Sequence, residues 1–402
     1  MKKILIISPQ SYPVTGAESI VNIKMLKALS NSKECEIDLV SKRNKWINYP
    51  EDKLERYGIN LKSLKVIEVD NKISLKTIFQ HIMCIFKFGT AFKGSHWAYI
   101  ALPTIKALVK QNKYDYVLTK NSPSLLLGNY LKKHYGLKWV ATWNDPCPNV
   151  KYPHPYGQGY DSKGTLLDRR EIAIMLNADI HVFPSDRIRD YMLKYLKVSQ
   201  DKTRVIPHVV LDTPQVESRV KDGKLKIVHS GNLQYPRNPL TFLKALKKLK
   251  DKYNTLNLEF SILGVYDKET DNNIQELGLS NLVKIEKPVS YLDSLVKLRE
   301  YDIALIIEAN CEEGIFMPTK VSDFMQCRIP IFAVSPQKGA LNDLYNNGYI
   351  PYFADVTNVD AIFNTLDKLY NDFLNETIGN QDKYPIPENF TEKSVVSTYL
   401  SL

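Results

Sequence analysis

Long hydrophobic runs are missing from this chain of 402 residues. No stretch of about eighteen apolar residues occurs, so no helix is expected to cross a membrane. Met1 to Ile7 is too short an apolar run for a signal peptide, is ended by Ser8-Pro9-Gln10, and reads as a first buried strand. Cysteine is scarce. Cys35, Cys84, Cys147, Cys311 and Cys327 are odd in number, scattered and without paired metal spacing, which fits a reducing, cytoplasmic compartment. No His or Cys cluster and no suitably placed Asp-x-Asp suggests a metal, so neither metal nor cofactor is expected. Gly-x-Gly-x-x-Gly and P-loop signatures are absent too. Acidic residues are missing from 71 to 114, where Lys72, Lys76, Lys87, Lys93, Lys106, Lys110 and Lys113 stand.

The chain is otherwise of ordinary globular composition, 44% apolar and 24% charged, and long enough for two domains. Its net charge of +10 is uneven. Residues 1–200 hold 31 Lys and Arg against 17 Asp and Glu, and the remainder holds 23 against 27. Among the lysines of the acid-free stretch lie Phe79, Ile82, Met83, Ile85, Phe86, Phe88, Phe92, Trp97 and Tyr99. Such a mixture suits an anionic membrane interface, nucleic acid, or an amphipathic core helix with a solvated lysine face.

Short apolar runs alternate with helical patterns throughout, which argues an α/β chain of parallel sheets with crossover helices. Strands are expected at Lys3–Ile7, Ile37–Val40, Lys65–Val69, Tyr116–Leu118, Trp139–Thr142, Ile180–Phe183 and Arg204–Ile206. After a polar linker from Asp212 to Gly223 come Lys226–Ser230, Leu258–Leu263, Val283–Lys287, Ile303–Ile307, Ile329–Val334 and Ile350–Phe353. The expectation is two doubly wound Rossmann-like domains, residues 1–210 and 211–385, facing a central crevice, with 386–402 as a terminal helix.

Residues 313–331 are the most informative. After the run Ile303 to Ile307, Glu313 and Gly314 precede Pro318, which opens a helix whose Val321, Phe324 and Met325 share a face. Backbone N–H groups at a helix start, with Lys320, suit a phosphate, and Asp323 one turn in suits ribose hydroxyls. An ordinary strand-to-helix turn with a solvated acid would use the same residues.

Glu313-Gly314-Ile315-Phe316-Met317-Pro318 resembles the Glu-Gly-Phe-Gly-Leu-Pro signature of the group-one, glycogen-synthase-like retaining glycosyltransferases of the GT-B fold. Pro318-Thr319-Lys320-Val321-Ser322-Asp323-Phe324 is similar to that family's Pro-Ser-Lys-x-x-Glu-Tyr variant, with Asp for Glu and two more residues between the acids. Further landmarks align. Gly16 and Glu18 match Gly-Gly-x-Glu, with Thr15 for one glycine; Asn144-Asp145-Pro146 resembles a loop beside the transferred sugar; Gly231-Asn232 and Arg237-Asn238 match Gly-Arg-x-x-x-x-Lys-Asn, with Asn232 for one cation; Leu263-Gly264 matches Leu-Gly-x-Gly.

The resemblance implies catalytic roles for Asp145 and Glu313. It implies donor contacts at Gly16, Gly231, Asn232, Arg237, Gly264, Gly314, Ile315, Phe316, Lys320 and Asp323, and acceptor contacts at Glu18 and Asn144. It implies transfer, with retention, of a hexose from a nucleotide-diphosphate sugar to a glycan, expected to be metal-free because no Asp-x-Asp is suitably placed, and the basic first half adds the expectation of surface polysaccharide assembly. That acceptor is expected to be lipid-diphosphate-linked, and the protein peripheral on an anionic inner membrane face, with no nucleic acid as partner. An inactive binding paralogue and a GT-B nucleotide-sugar epimerase are the alternatives.

Overall fold

The computed structural model describes residues 1–47, 54–70, 72–212, 222–378 and 384–402. Residues 213–221 of the expected linker lie outside them. Contacts divide the chain into two units. The first holds Met1–Tyr152, Gly157–Leu211 and Asn389–Leu402, and the second Pro153–Tyr156 and Asp212–Glu388.

The first unit is built on a parallel sheet of β1 (Lys2–Ile7), β2 (Cys35–Asn44), β3 (Ser63–Val69), β4 (Tyr116–Lys120), β5 (Trp139–Thr142), β6 (Ile180–Phe183) and β7 (Thr203–Val205). Its order is β3-β2-β1-β4-β5-β6-β7. Ile4 to Ile7 and Tyr116 to Lys120 are buried along their whole length, as strands covered by helices on both faces must be. The terminal helix Glu392–Ser401 belongs to this unit. Its Tyr399 carbonyl accepts from the Tyr116 hydroxyl at 3.0 Å, and the Val210 N–H donates to Phe390 O at 2.8 Å.

The second unit repeats the plan with β8 (Leu225–Ser230), β9 (Leu258–Leu263), β10 (Val283–Glu286), β11 (Ile303–Ile307), β12 (Ile331–Ser335) and β13 (Tyr352–Asp355), all parallel, in the order β10-β9-β8-β11-β12-β13. Its core joins Ile227, Phe260, Leu305 and Phe332 of the sheet to Phe242 and Leu246 of the helix Leu240–Lys252 and Leu366 of the helix Val359–Leu374. Local signals set the helix starts: the Ser290 hydroxyl accepts from Asp293 N–H at 3.3 Å, and Asn358 Oδ1 from Ala361 N–H at 3.0 Å.

Candidate active site

β8 and β11 are neighbours where the order of the second sheet reverses, and open α/β sheets bind ligands beyond the carboxyl ends of strands at such a point. Gly231 follows β8 and Gly264 follows β9, with φ of +112° and +148°. A Cβ on Gly264 would lie 2.2 Å from the Gly231 carbonyl oxygen. Only glycines let these two strand ends come so close. Asn232 is exposed beside Gly231.

Two cations reach this place. Lys320 opens the helix Lys320–Gln326, and its Nζ is 3.2 Å from Nε2 of the fully buried His229 of β8. A Cβ on Gly231 would sit 3.4 Å from the same ammonium. Burial, then the charge of Arg237, lowers the Lys320 pKa to about 7, while Glu308 acts the other way. Burial and the charge of Lys320 hold His229 well below the usual imidazole range, so the ring beside Lys320 is uncharged. Arg237 Nε lies 3.3 Å from Oε1 of Glu308, a buried acid directly after β11.

The helix that carries Lys320 also carries Asp323, buried, whose Oδ1 accepts from the Tyr291 hydroxyl at 2.8 Å. Ahead of it, Gly314 is clamped through its backbone. Its N–H donates to Lys338 O at 2.8 Å and its carbonyl accepts from Ala340 N–H at 2.9 Å. Ile315 is fully buried, and the Phe316 ring meets Tyr156 edge-on with centroids 5.1 Å apart. The Glu313 carboxylate is 3.2 Å from the ammonium of the exposed Lys338. Gly231, Gly264, Arg237 and Lys320 thus gather at the strand ends, and the acid beside Arg237 is Glu308.

Sequence reasoning passed over Glu308, His229 and Tyr291. A usable signal existed for the first, since a lone carboxylate ends the apolar run Ile303 to Ile307.

In the first unit, Asn144 Nδ2 donates to Glu18 Oε2 at 2.7 Å, and Asn22 Nδ2 donates to Glu18 Oε1 at 3.1 Å. Lys120 is buried at the end of β4; burial lowers its pKa and the charge of Glu18 opposes that. Asp145 hydrogen-bonds the Tyr152 hydroxyl, which burial and the aspartate push far above its ordinary range. Gly16 caps the helix Ala17–Asn31 in an extended conformation, and a Cβ added there would meet nothing within 4 Å. The backbone there therefore does not demand glycine, though it leaves open space.

The acid-free stretch forms two helices, Leu75–Phe88 and Ser95–Gln111. Trp97, expected at an interface, is instead completely buried, and Phe88 packs edge-on against Tyr130 with centroids 6.0 Å apart. The exposed large apolar residues of this stretch are Ile73 (92%), just before the first helix, and Leu75 (88%), Ile78, Phe79, Ile82, Ile85 and Phe86 (81%) on it.

Among the described residues no group of His, Cys, Asp and Glu gathers to hold a metal, and no helix is long and apolar enough to cross a membrane.

Residues 213–383 match the family described as glycosyl transferases group 1, and residues 81–211 match glycosyltransferase family 4. In structure the whole chain is similar to sucrose-phosphate synthase from Thermosynechococcus elongatus (TM-score 0.67, 15% identity, covering 100% of this chain and 98% of that one). A glycosyltransferase from Rickettsia africae is similar to the same degree (0.66, 16%, 100% and 97%). So is Anabaena HepE, solved with UDP and glucose (0.63, 14%, 100% and 99%). At these identities the likeness is one of fold. Curated proteins yield no match by sequence.

Proposed function

This chain belongs to the group 1 glycosyl transferases and has the GT-B architecture of two Rossmann-like domains; on that premise we propose that it is a retaining, metal-independent hexosyltransferase using a nucleotide-diphosphate sugar. The observation that carries the reading is the meeting of Arg237 and Lys320 at the ends of β8 and β11, beside the open backbone of Gly231 and Gly264. Arg237 and Lys320 take the diphosphate charge, which grows as the glycosyl bond breaks; fixed cations aimed at a leaving group lower that barrier. Asp323 takes the ribose hydroxyls, and the loop from Gly314 to Phe316 borders the sugar. Glu313, and Asp145 in the first unit, are the acids assigned to the reacting sugar. Retention follows from front-face attack assisted by the departing phosphate, the course the family resemblance implies.

The acceptor is a glycan carried on a lipid diphosphate, in surface polysaccharide assembly, held by Glu18 and Asn144. Supporting this is the turned-out apolar row of the helix Leu75–Phe88 beside Lys72, Lys76 and Lys87, a surface suited to an anionic membrane face. The bound UDP of the Anabaena relative makes UDP-sugars the first donors to try. The test is release of nucleoside diphosphate from a panel of UDP-, GDP- and ADP-sugars in EDTA. Turnover that EDTA abolishes and Mg²⁺ or Mn²⁺ restores would refute the metal-free mechanism. Failure to bind or turn over any donor would leave a binding paralogue.

A further inference from the structure

Glu308 is the residue that the donor reading leaves without a task, since a carboxylate repels a diphosphate. Its position is set by the sheet: it follows β11 directly, and its N–H donates to Val334 O at 2.9 Å. Its side chain is 9% exposed, with Oε1 3.3 Å from Arg237 Nε. Lys320, 3.2 Å from His229, stands at the same strand ends. The two cations disfavour each other, and Glu308 counteracts this at Lys320. The Tyr156 hydroxyl also senses both Glu308 and Arg237.

We infer that Glu308 is a positioning residue for the donor diphosphate: its carboxylate, ion-paired with the Arg237 guanidinium at 3.3 Å, offsets the repulsion between Arg237 and Lys320, keeping both cations at the ends of β8 and β11 before a donor arrives. This rests on the donor reading above and deepens it. The groups facing Lys320 are His229 from β8, Arg237 from the turn behind it and Glu308 from β11; on its own helix, Asp323 accepts from Tyr291. Without the carboxylate, Lys320 sheds its proton more readily and Arg237 loses the contact that orients it.

Two readouts on the full-length chain separate this role from plain packing. The first needs no ligand: NMR of lysine labelled at the side-chain nitrogen follows the Lys320 titration, which starts from a midpoint of about 7. Glu308→Gln should move it to lower pH, and Arg237→Gln to higher pH. The second is calorimetry with inorganic pyrophosphate and with UDP at pH 7 and 8.5. Glu308→Gln should weaken both ligands by at least about fivefold, more at the higher pH, with Glu308→Asp recovering part. An unmoved Lys320 midpoint in Glu308→Gln overturns the inference. Pyrophosphate binding that is equal or tighter in that variant also overturns it, since the acid would then merely compete for Arg237. Should Glu308→Gln fail to fold, the Arg237→Gln midpoint decides, and no rise there is fatal. Normal midpoint shifts in a protein that binds neither pyrophosphate nor UDP would sink the donor reading itself, and donor positioning with it.

Discussion

Asn144 donates a 2.7 Å hydrogen bond to Glu18, joining the loop after β5 to the first turn of the helix that follows β1, 126 residues away. The same carboxylate accepts from Asn22, so one acid organises two amides at the strand ends. Asn144→Ala should raise the acceptor KM several-fold and leave donor binding unchanged. Glu18→Ala leaves both amides without this acceptor and should also cost about 1–3 kcal/mol of stability, read as a lowered urea midpoint. An Asn144→Ala enzyme with normal acceptor KM would remove this residue from the acceptor site.

Arg237→Ala and Asp323→Ala should fail in different ways. In the proposed donor site Arg237 takes the phosphates, so its loss should weaken nucleoside diphosphate far more than nucleoside. Asp323 is proposed to take the ribose hydroxyls, so its loss should weaken both, by about 1.5–3 kcal/mol for a charged hydrogen bond. Calorimetry with UDP and uridine separates the cases, and equal losses for both ligands in Arg237→Ala would place that side chain elsewhere.

Gly264→Ala tests the backbone itself. The new methyl would need to occupy space 2.2 Å from the Gly231 carbonyl oxygen, at a φ of +148° that side-chain-bearing residues rarely adopt. Backbone has to move, so a loss of at least about 2 kcal/mol is expected in chemical denaturation. Gly16→Ala, with open space and extended φ, should change stability little and serves as the contrast.

The fold was legible where burial alone sets an element's limits. Trp139–Thr142 and Ile303–Ile307 coincide end to end with the expected strands because every residue of each is buried, and Leu258–Leu263 coincides as well, with only Glu259 half-buried. β2 runs on to Asn44 because Ser41 to Asn44 pair through backbone with Val66 to Val69, a partnership that hydropathy does not encode. The helix Asp186–Leu193 buries only Ile188, Tyr191 and Met192 of its eight residues, a single narrow face. In the site, glycines, Arg237 and Lys320 were visible as residue types at strand-to-helix turns. The pairing of Arg237 with Glu308 and of Lys320 with His229 was not, since each joins distant segments through the sheet order. Exposure likewise separated Phe86 from Trp97, two aromatics that look alike in a basic stretch.

The Lys320 ammonium gives a pH dependence whose sign can be worked out. Its pKa in the folded protein is about 7, against 10.5 ordinarily. A diphosphate favours the protonated form, so affinity should fall as pH rises above 7, where the ligand is already fully ionised. Lys320→Met should bind weakly and flatten that profile. Between about 7 and 10.5 the unfolded chain holds more protons at this residue than the folded one. Stability from this group therefore rises with pH across that window, and Lys320→Met should remove the rise. Parallel profiles for the two proteins would show that another group titrates.

Membrane attachment should depend on the helix Leu75–Phe88 and not on Trp97. Leu75, Ile78, Phe79, Ile82, Ile85 and Phe86 are turned to solvent on that helix, while Trp97 lies in the core. A fully buried large apolar side chain is worth about 1.5–3 kcal/mol, and each lysine near an anionic surface about 1 kcal/mol. Replacing Phe79 and Phe86 together by serine should therefore abolish flotation with anionic vesicles while leaving the fold intact, since neither ring is part of the core. Replacing Lys72, Lys76 and Lys87 by glutamine should weaken binding to phosphatidylglycerol vesicles but not alter the weak binding to phosphatidylcholine vesicles. Attachment of the unmodified protein should fall with salt, because exposed charges are screened beyond about 10 Å at 0.1 M. Equal flotation with both vesicle types at every salt concentration, or none with either, would take the membrane out of this reading and make a soluble acceptor the one to seek.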